Sequence, residues 1–265
     1  MIRNTLFPML RLGFREATAY RVDIVVYALA LIIPLAVEFF LWSAVYSQRT
    51  SVDGYSFNEL ISYLFTARAV SLLCAMRSME SNIEQDISSG KISIVLSLPI
   101  HYFNFTSFRQ IGFNATLFMI IGLPVILIMQ LIPGLPVFHI KSILFFIPSV
   151  ILGLLVSSLV SFLVGISAFQ LRNTMGMSSI RNLFFALFSG ILFPLSFLPG
   201  ILRQFSEYMP FQVMISVPIN ILFGRIEGAK ILNVLILQLA WLTVLSVLVI
   251  VLFRGARKRT PGFGG

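Results

Sequence analysis

Three carboxylates form an acidic stretch in a chain that is otherwise nearly uncharged, because Glu80, Glu84 and Asp86 lie between long segments rich in Leu, Ile, Phe and Val. Paired carboxylates can do acid–base work, and clustered ones can hold a metal ion. The sequence contains no paired-carboxylate motif, no Ser/His/Asp set and no acidic metal-binding cluster. The Gly90-Lys91 pair resembles the end of a phosphate-binding loop, but Ile follows it where such a loop requires Ser or Thr. We therefore expect no catalytic, metal or nucleotide site in this chain.

The acidic stretch has the spacing of a helix. Glu80, Ile83, Glu84 and Ile87 combine acidic and apolar residues at helical intervals, and the Ser-Ser-Gly run that follows can end a helix. We expect a short amphipathic helix over residues 80–90, held between two membrane spans with its charges outward. A solvated loop, whose charges only keep it out of the bilayer, is the alternative that the chemistry leaves open.

Glu38 and Arg68 are charged residues inside predicted membrane spans. Counted from the shared end of two antiparallel helices, they lie at similar depth. An unpaired charge at the centre of a bilayer costs roughly 2.5–3.5 kcal/mol on insertion scales, so the sequence predicts an ion pair. Both a structural role and a substrate-contacting role stay open for this pair.

The composition indicates a membrane protein. The chain has 265 residues, is 58% hydrophobic and only 11% charged, whereas soluble domains carry about 25% charged residues. Crossing a bilayer requires about 20 consecutive apolar residues in one helix. We expect an all-α integral membrane protein with one transmembrane domain over residues 1–265. The six predicted spans are Val22–Tyr46, Phe57–Met79, Ile111–Ile132, Ser142–Phe169, Met177–Leu198 and Ile231–Phe253.

The N-terminal segment, residues 2–20, is predicted to be an amphipathic helix. At 100° per residue Arg11 and Arg15 point away from the apolar side, which is typical of a helix lying in the membrane interface. An ordinary juxtamembrane segment is the alternative. The residues that share the apolar arc are Ile2, Leu6, Met9, Leu10, Gly13, Ala17 and Tyr20.

Residues 194–224 are apolar but cannot form a straight span, because Pro194, Pro199, Pro210 and Pro218 interrupt them. Short helices that dip into the outer leaflet and return fit this pattern. An extra pair of spans is the alternative, although each piece is short for that.

The positions of Lys and Arg predict the orientation. The net charge is +9, and thirteen of the 19 basic residues fall on the side of the N-terminus, against five on the other side and Arg68 within a span. Because cytoplasmic segments carry the excess of Lys and Arg, both termini and the acidic stretch are expected in the cytoplasm. The expected location is a bacterial plasma membrane, with lipids and no nucleic acid as partners.

The order of these features resembles the permease subunits of type-2 ABC exporters. It is carried by the basic N-terminal helix, the stretch ISSGKISIVLSLPIHYF and the Pro-broken LFPLSFLPG…MPFQ before a last span. The resemblance covers nearly the whole chain, and its most telling part runs from Glu84 to Pro99. GYSFNELISYL is similar to a branch in which non-identical permeases often pair. The chain departs from the pattern in one respect: its outer loops are very short, so no large extracellular domain is expected that could recognise a substrate.

The resemblance implies a six-span half-transporter that dimerises with a second copy or a non-identical permease and binds two cytoplasmic ABC ATPases. ATP and Mg²⁺ would be bound by those partners and no cofactor by this chain. Residues 80–90 would be the coupling helix in a groove of the ATPase, with residues 2–20 nearby, and the prolines of 194–224 would form an outer gate. The first, second and fifth spans would line the dimer interface and the export path. The docking residues so implied are Glu80, Ile83, Glu84, Gln85, Asp86, Ile87, Ser89 and Gly90.

Other classes of membrane protein remain as alternatives. An ion-coupled secondary transporter could use Glu38 and Arg68, although these two charges can neutralise each other and no inverted repeat is apparent. A non-transporting scaffold would need no site, and a membrane-embedded enzyme would need carboxylate or His clusters that the sequence lacks. For an exporter, a lipid, an amphipathic peptide or a hydrophobic drug fits better than an ion.

Overall fold

The computed structural model describes residues 3–19, 21–93, 101–136, 138–171 and 173–258, which form a bundle of helices. Within those ranges the β structure is limited to an isolated bridge between Val52 and Tyr55. The α-helices are α1 (Arg3–Ala19), α2 (Arg21–Tyr46), α3 (Phe57–Cys74), α4 (Arg77–Ser88), α5 (Tyr102–Leu117), α6 (Leu123–Gln130), α7 (Ile140–Ile166), α8 (Ala168–Leu171), α9 (Met175–Phe188), α10 (Gly200–Glu207), α11 (Ser216–Leu222) and α12 (Ala229–Lys258).

Among the described residues, five helical segments are long and apolar enough to cross a membrane, and they match five of the six predicted spans. Three of them contain interruptions: a π-helical turn at Phe118–Gly122 joins α5 to α6, a break separates α3 from α4, and Ser167 separates α7 from α8. The segments are Val22–Tyr46, Phe57–Ser88, Tyr102–Gln130, Ile140–Leu171 and Ala229–Gly255.

The predicted span Met177–Leu198 does not form one straight helix. Its helix, α9, ends at Phe188, and its 14 residues cover about 20 Å. That is short of the hydrocarbon core, which is about 30 Å thick. The backbone turns at Gly190, whose φ of 84° is incompatible with continuing the helix. The predicted end at Leu198 is therefore wrong, and the count of six spans stays a prediction.

The ends of two other spans also differ from the prediction. α3 begins at Phe57 because Ser56 and Glu59 form a capping box, but it ends at Cys74 rather than Met79. The third span begins at Tyr102, well before the predicted Ile111. Its first turns carry polar residues that lower the hydropathy, and several of these are buried inside the bundle instead of facing lipid. The buried polar residues of this part are Thr106, Ser107 and Gln110.

α1 packs along α5 through its predicted apolar arc. Gly13 and Ala17 are buried, whereas Arg11 and Arg15 are exposed. A Cβ at Gly13 would clash with the Arg109 carbonyl oxygen, so the two backbones meet at the closest distance that a glycine permits. The predicted sidedness of α1 is present, and its placement in a membrane interface remains a prediction.

The Pro-broken segment folds into short helices separated by turns. A 3₁₀ turn at Leu195–Phe197 precedes α10, and a buried turn leads from Phe211 into α11. Residues 211–219 are all buried in the bundle. The predicted short helices are therefore present, while their return into one leaflet stays a prediction.

Hydrogen bonds between loops define two ends of the bundle. At the loop end, the Asn58 amide donates to the carbonyl oxygen of Gly134 at 2.9 Å, and the Arg225 guanidinium donates to the carbonyl oxygen of Gly54 at 3.2 Å. At the opposite end, which we call the α4 end, α4 packs against α5, α7 and α8. The polar contacts of α4 itself lie at the α4 end.

Candidate docking site and polar core

α4 is an amphipathic helix whose apolar side packs onto α7. Ile83 is fully buried and Ile87 is half-buried. The Ile83 side chain lies against Gly165, where a Cβ would come within 2.7 Å of its Cδ1 atom. The helix ends at Ser88, and Gly90 follows with a φ of 73°, a left-handed conformation that glycine adopts readily. The predicted helix is therefore present, shifted by a few residues toward the N-terminus.

Glu80 points into the bundle. Its side chain is 1% exposed, and its Oε1 lies 2.7 Å from Nη2 of Arg181, whose side chain is 7% exposed. The Ser178 hydroxyl donates a hydrogen bond to Glu80 Oε2 at 2.5 Å. The expectation that the charges of α4 point outward is wrong at this residue. A cation and a hydroxyl on α9 compensate the cost of burying the carboxylate.

Glu84 and Asp86 also bond within the chain. Glu84 Oε2 accepts a hydrogen bond from the Thr174 backbone N–H at 3.1 Å, and it contacts the Thr174 hydroxyl as well. The Tyr102 hydroxyl donates to Asp86 Oδ2 at 2.9 Å. Thr174 immediately precedes α9 and Tyr102 begins α5. The three acids of the acidic stretch thus tie α4 to two neighbouring helices.

The exposed side of α4 is polar and largely uncharged. Gln85, Ser88 and Ser89 are exposed, and Lys91 follows them. A partner that approached this end would therefore meet amide and hydroxyl groups rather than a row of carboxylates. Of the eight predicted docking residues, Glu80 and Ile83 are buried, Glu84, Asp86 and Ile87 are half-buried, and Gln85, Ser89 and Gly90 are exposed.

The sequence reasoning missed the partners of these acids. From the sequence, Arg181 was only one of the thirteen basic residues that predict the orientation. No role was predicted for Ser178, Thr174 or Tyr102. A signal was available, because Ser178 and Arg181 lie three residues apart and so share one face of an otherwise apolar helix.

Glu38 and Arg68 form the ion pair that their depth predicts. Arg68 Nε donates to Glu38 Oε1 at 3.0 Å, and Nη2 contacts the same oxygen. The Glu38 side chain is 12% exposed and the Arg68 side chain is 18% exposed. The two charges compensate each other between α2 and α3. The contact fits a structural role, whereas a role in transport remains a prediction.

The break between α3 and α4 is capped by side chains from other helices. The Asn114 amide donates to the carbonyl oxygens of Leu73 and Ala75 at 2.9 and 2.8 Å, and the Ser157 hydroxyl donates to that of Cys74 at 2.7 Å. A helix end leaves carbonyl groups unpaired, and buried ones require partners. No role was predicted for Asn114 from the sequence. Its buried role could not be predicted there, because the acceptors lie about 40 residues away.

The buried turn of the Pro-broken segment is satisfied in a similar way. Gln238 is fully buried in α12, and its Nε2 donates to the carbonyl oxygens of Val213 and Ser149 at 2.8 and 2.9 Å. Non-helical backbone at membrane depth is tolerated where other groups satisfy it. One glutamine therefore links α7, α12 and the turn before α11.

The four predicted gate prolines lie in different surroundings. Pro194 and Pro210 are buried at turns, Pro218 is buried within α11, and Pro199 is exposed before α10. The structure thus places three of them inside the bundle. Their predicted role in gating is not tested by this arrangement.

A polar cavity of about 670 Å³ opens at the loop end, beside the Pro-broken segment. Its wall includes the Arg225 guanidinium, which lies 3.4 Å from the centroid of the Tyr55 ring in a cation–π contact. Burial raises the pKa of Tyr55, and the positive charge of Arg225 opposes that change. The charged residues of the wall are Asp53, Arg203, Glu207, Arg225 and Lys230.

The described residues contain no group of three His, Cys, Asp or Glu side chains that could hold a metal ion. A family model described as "ABC-2 family transporter protein" matches residues 32–260, which is most of the chain. A comparison with curated proteins found no match. The matched region begins within α2 and ends at the C-terminal end of α12, so it includes α4 and the Pro-broken segment.

Proposed function

The chain belongs to the ABC-2 family of transporter proteins, and from that premise we propose that it is the membrane-spanning permease of an ATP-driven exporter. A permease of this family is a membrane transport component, so the ATPase activity is assigned to separate subunits. In the proposal, two cytoplasmic ABC ATPases bind ATP and Mg²⁺, and this chain binds no cofactor. The permease acts as a dimer, formed with a second copy or with a non-identical permease.

One observation supports the coupling most strongly: α4 is held firmly to the rest of the bundle while one of its sides stays exposed. Glu80, Glu84 and Asp86 anchor it to α9 and α5. A helix that transmits force must be fixed to the elements it moves. Gln85 and Ser88 then form the centre of the surface offered to the ATPase, which refines the predicted docking set.

The proposed topology follows the charge distribution. Six spans are assigned, with α9 and the residues that follow it as far as 193 completing the fifth crossing, and both termini lie on the cytoplasmic side of a bacterial plasma membrane. α1 lies at the membrane interface on that side. Residues 194–224 re-enter the outer leaflet and form the outer gate.

The proposed substrate is hydrophobic or amphipathic, such as a lipid, a peptide or a drug. The cavity at the loop end supports this class, because its charged wall adjoins a second cavity of about 490 Å³ lined by Trp42, Phe193 and Phe197. An amphipathic molecule leaving the gate could place its polar part against the first wall and its apolar part against the second.

Co-purification with candidate ABC ATPases of the source organism tests the proposal. Wild type is compared with Gln85→Arg/Ser88→Arg, which places two bulky cations on the exposed side of α4. Gln48→Arg/Ser51→Arg is the matched control, since both of its sites are exposed at the loop end. Wild type and control should retain one ATPase, and the α4 variant should lose at least nine-tenths of it.

Two results would count against the proposal. Equal retention by both variants would mean that α4 is not the docking surface. Failure of wild type to retain any candidate ATPase would remove the basis for ATP coupling and favour a scaffold or an ion-coupled transporter. If wild type does retain an ATPase, stimulation of that ATPase by added lipid or peptide would identify the substrate class.

A further inference from the structure

A third cavity, at the α4 end, lies between α5, α7 and α12 and has a volume of about 510 Å³. Its inner wall is aromatic: the rings of Tyr102 and Phe253 stack at 6.1 Å with planes 8° apart, and Phe162 lies 5.5 Å from Phe253. Tyr102 and Phe162 are almost completely buried. The wall is therefore a fixed surface formed by packed rings.

The cavity opens sideways onto the apolar surface of α12. Ile250 lines it and is 49% exposed, and its neighbours Val247 and Val251 are more than half exposed. In an integral membrane protein such an apolar helix surface faces lipid. The molecules with direct access to the opening are therefore those of the bilayer.

The rim of the cavity carries positive charge at one end. Arg254 and His101 line it there, and the described lining includes no acidic residue. Asp86 is close by, but the Tyr102 hydroxyl binds it. Arg254 is exposed and begins a basic run in the sequence, Arg254, Arg257, Lys258 and Arg259. Arginine is well suited to phosphate because its planar guanidinium can donate two parallel hydrogen bonds.

We propose that this cavity is a binding site for one anionic phospholipid. The phosphate contacts Arg254 beside His101, and an acyl chain lies along Val249 and Ile250 against the aromatic wall. From Arg254 to Ser246 the cavity follows about 12 Å of α12, enough for part of a chain. Basic pockets between membrane helices are known to select anionic headgroups.

The site also suggests a function for the bound lipid. Tyr102 forms the inner wall and at the same time holds Asp86 of α4 through its hydroxyl. A lipid packed against this ring adds contacts to it and so strengthens the attachment of α4 to α5. This inference requires no ATPase partner and can be tested on the permease alone.

The test uses the purified full chain, delipidated in detergent, with added phosphatidylglycerol or phosphatidylcholine of the same acyl chains. Native mass spectrometry measures bound lipid, and thermal unfolding measures stabilisation. Arg254→Gln removes the proposed headgroup contact. Lys141→Gln is the matched control, because it removes the same charge from an exposed site at the opposite end of α7, which also lines the cavity. Ser246→Phe fills the cavity without changing its charge.

Wild type and Lys141→Gln should prefer phosphatidylglycerol, and Arg254→Gln should bind it about tenfold more weakly, as expected from the loss of one charge-assisted hydrogen bond. Ser246→Phe should reduce binding of the same lipid. Equal binding of the two lipids by wild type would overturn the proposal. So would an Arg254→Gln variant that behaves like Lys141→Gln, or full phosphatidylglycerol binding by Ser246→Phe, since the lipid would then lie elsewhere.

Discussion

Removal of the Glu80 charge is expected to release α4 from α9. Glu80 and Arg181 are 1% and 7% exposed and lie 2.7 Å apart, so neither charge has water to replace its partner. Breaking such a buried pair by removing one member costs about 3–5 kcal/mol, because the charge that remains is buried and loses its ionic partner. Glu80→Gln and Arg181→Met should each lose stability of this order. The double variant should lose much less, since no charge is left behind.

The matched comparison is the pair Glu16–Arg109, whose atoms lie 2.8 Å apart but whose side chains are 35% and 30% exposed. A partly exposed pair contributes about 0.2–1 kcal/mol, so Arg109→Met should cost at most about a third of the Arg181→Met effect. Unfolding in mixed micelles with increasing SDS gives the free-energy differences. Hydrogen–deuterium exchange over residues 77–88 reports the local release of α4, and a loss of 3–5 kcal/mol corresponds to exchange at least a hundredfold faster.

Three results would refute this reasoning. The first is a double variant as unstable as the sum of the two single variants, because the pair would then carry no coupling. The second is an exchange rate in α4 that stays unchanged in Glu80→Gln. The third is an equal loss for Arg109→Met and Arg181→Met, which would mean that burial does not determine the strength of these pairs.

Two further predictions concern the packing around α4. Gly13→Leu should separate α1 from α5, because even a Cβ at this site meets backbone atoms of α5. Limited proteolysis should then cleave within α1 while the spans stay intact. Leu12→Ala, at an exposed site, is the control. Asn114→Leu should destabilise the bundle by about 1–3 kcal/mol per carbonyl left unpaired at the α3–α4 break, measured by the same SDS titration. The half-buried Asn104→Leu should have a smaller effect, and equal losses at both sites would contradict the capping role of Asn114.

Much of the secondary structure was predictable because it depends on local patterns. The Ser56–Glu59 capping box lies in four consecutive residues, and the exposed Arg11 and Arg15 follow from helical periodicity. The errors fall where local hydropathy misleads. The start of α5 is polar yet buried, and the end of α9 depends on a turn at Gly190 inside an apolar run.

The candidate site was only partly predictable. Its helix was found because acidic and apolar residues alternate at helical spacing. The direction of each acid was not, because the partners are distant in sequence: Ser178 lies 98 residues after Glu80, and Thr174 lies 90 residues after Glu84. Glu38 and Arg68 are the exception, since two adjacent spans with a short connection fix their relative depth.

By itself the sequence predicted a helical chain with six membrane spans, of which five match helices long enough to cross a membrane, and an amphipathic helix after the second. These properties depend on apolar length and on periodicity, which any stretch of chain carries within itself. Only the tertiary structure decided which charges face inward and which side of α4 stays exposed. It also decided which backbone carbonyl groups, left unpaired where helices are interrupted, accept hydrogen bonds from Asn114 and Gln238. Those outcomes depend on helices that meet across the bundle, and burial makes an ion pair or a hydrogen bond there matter far more than the same groups would in water.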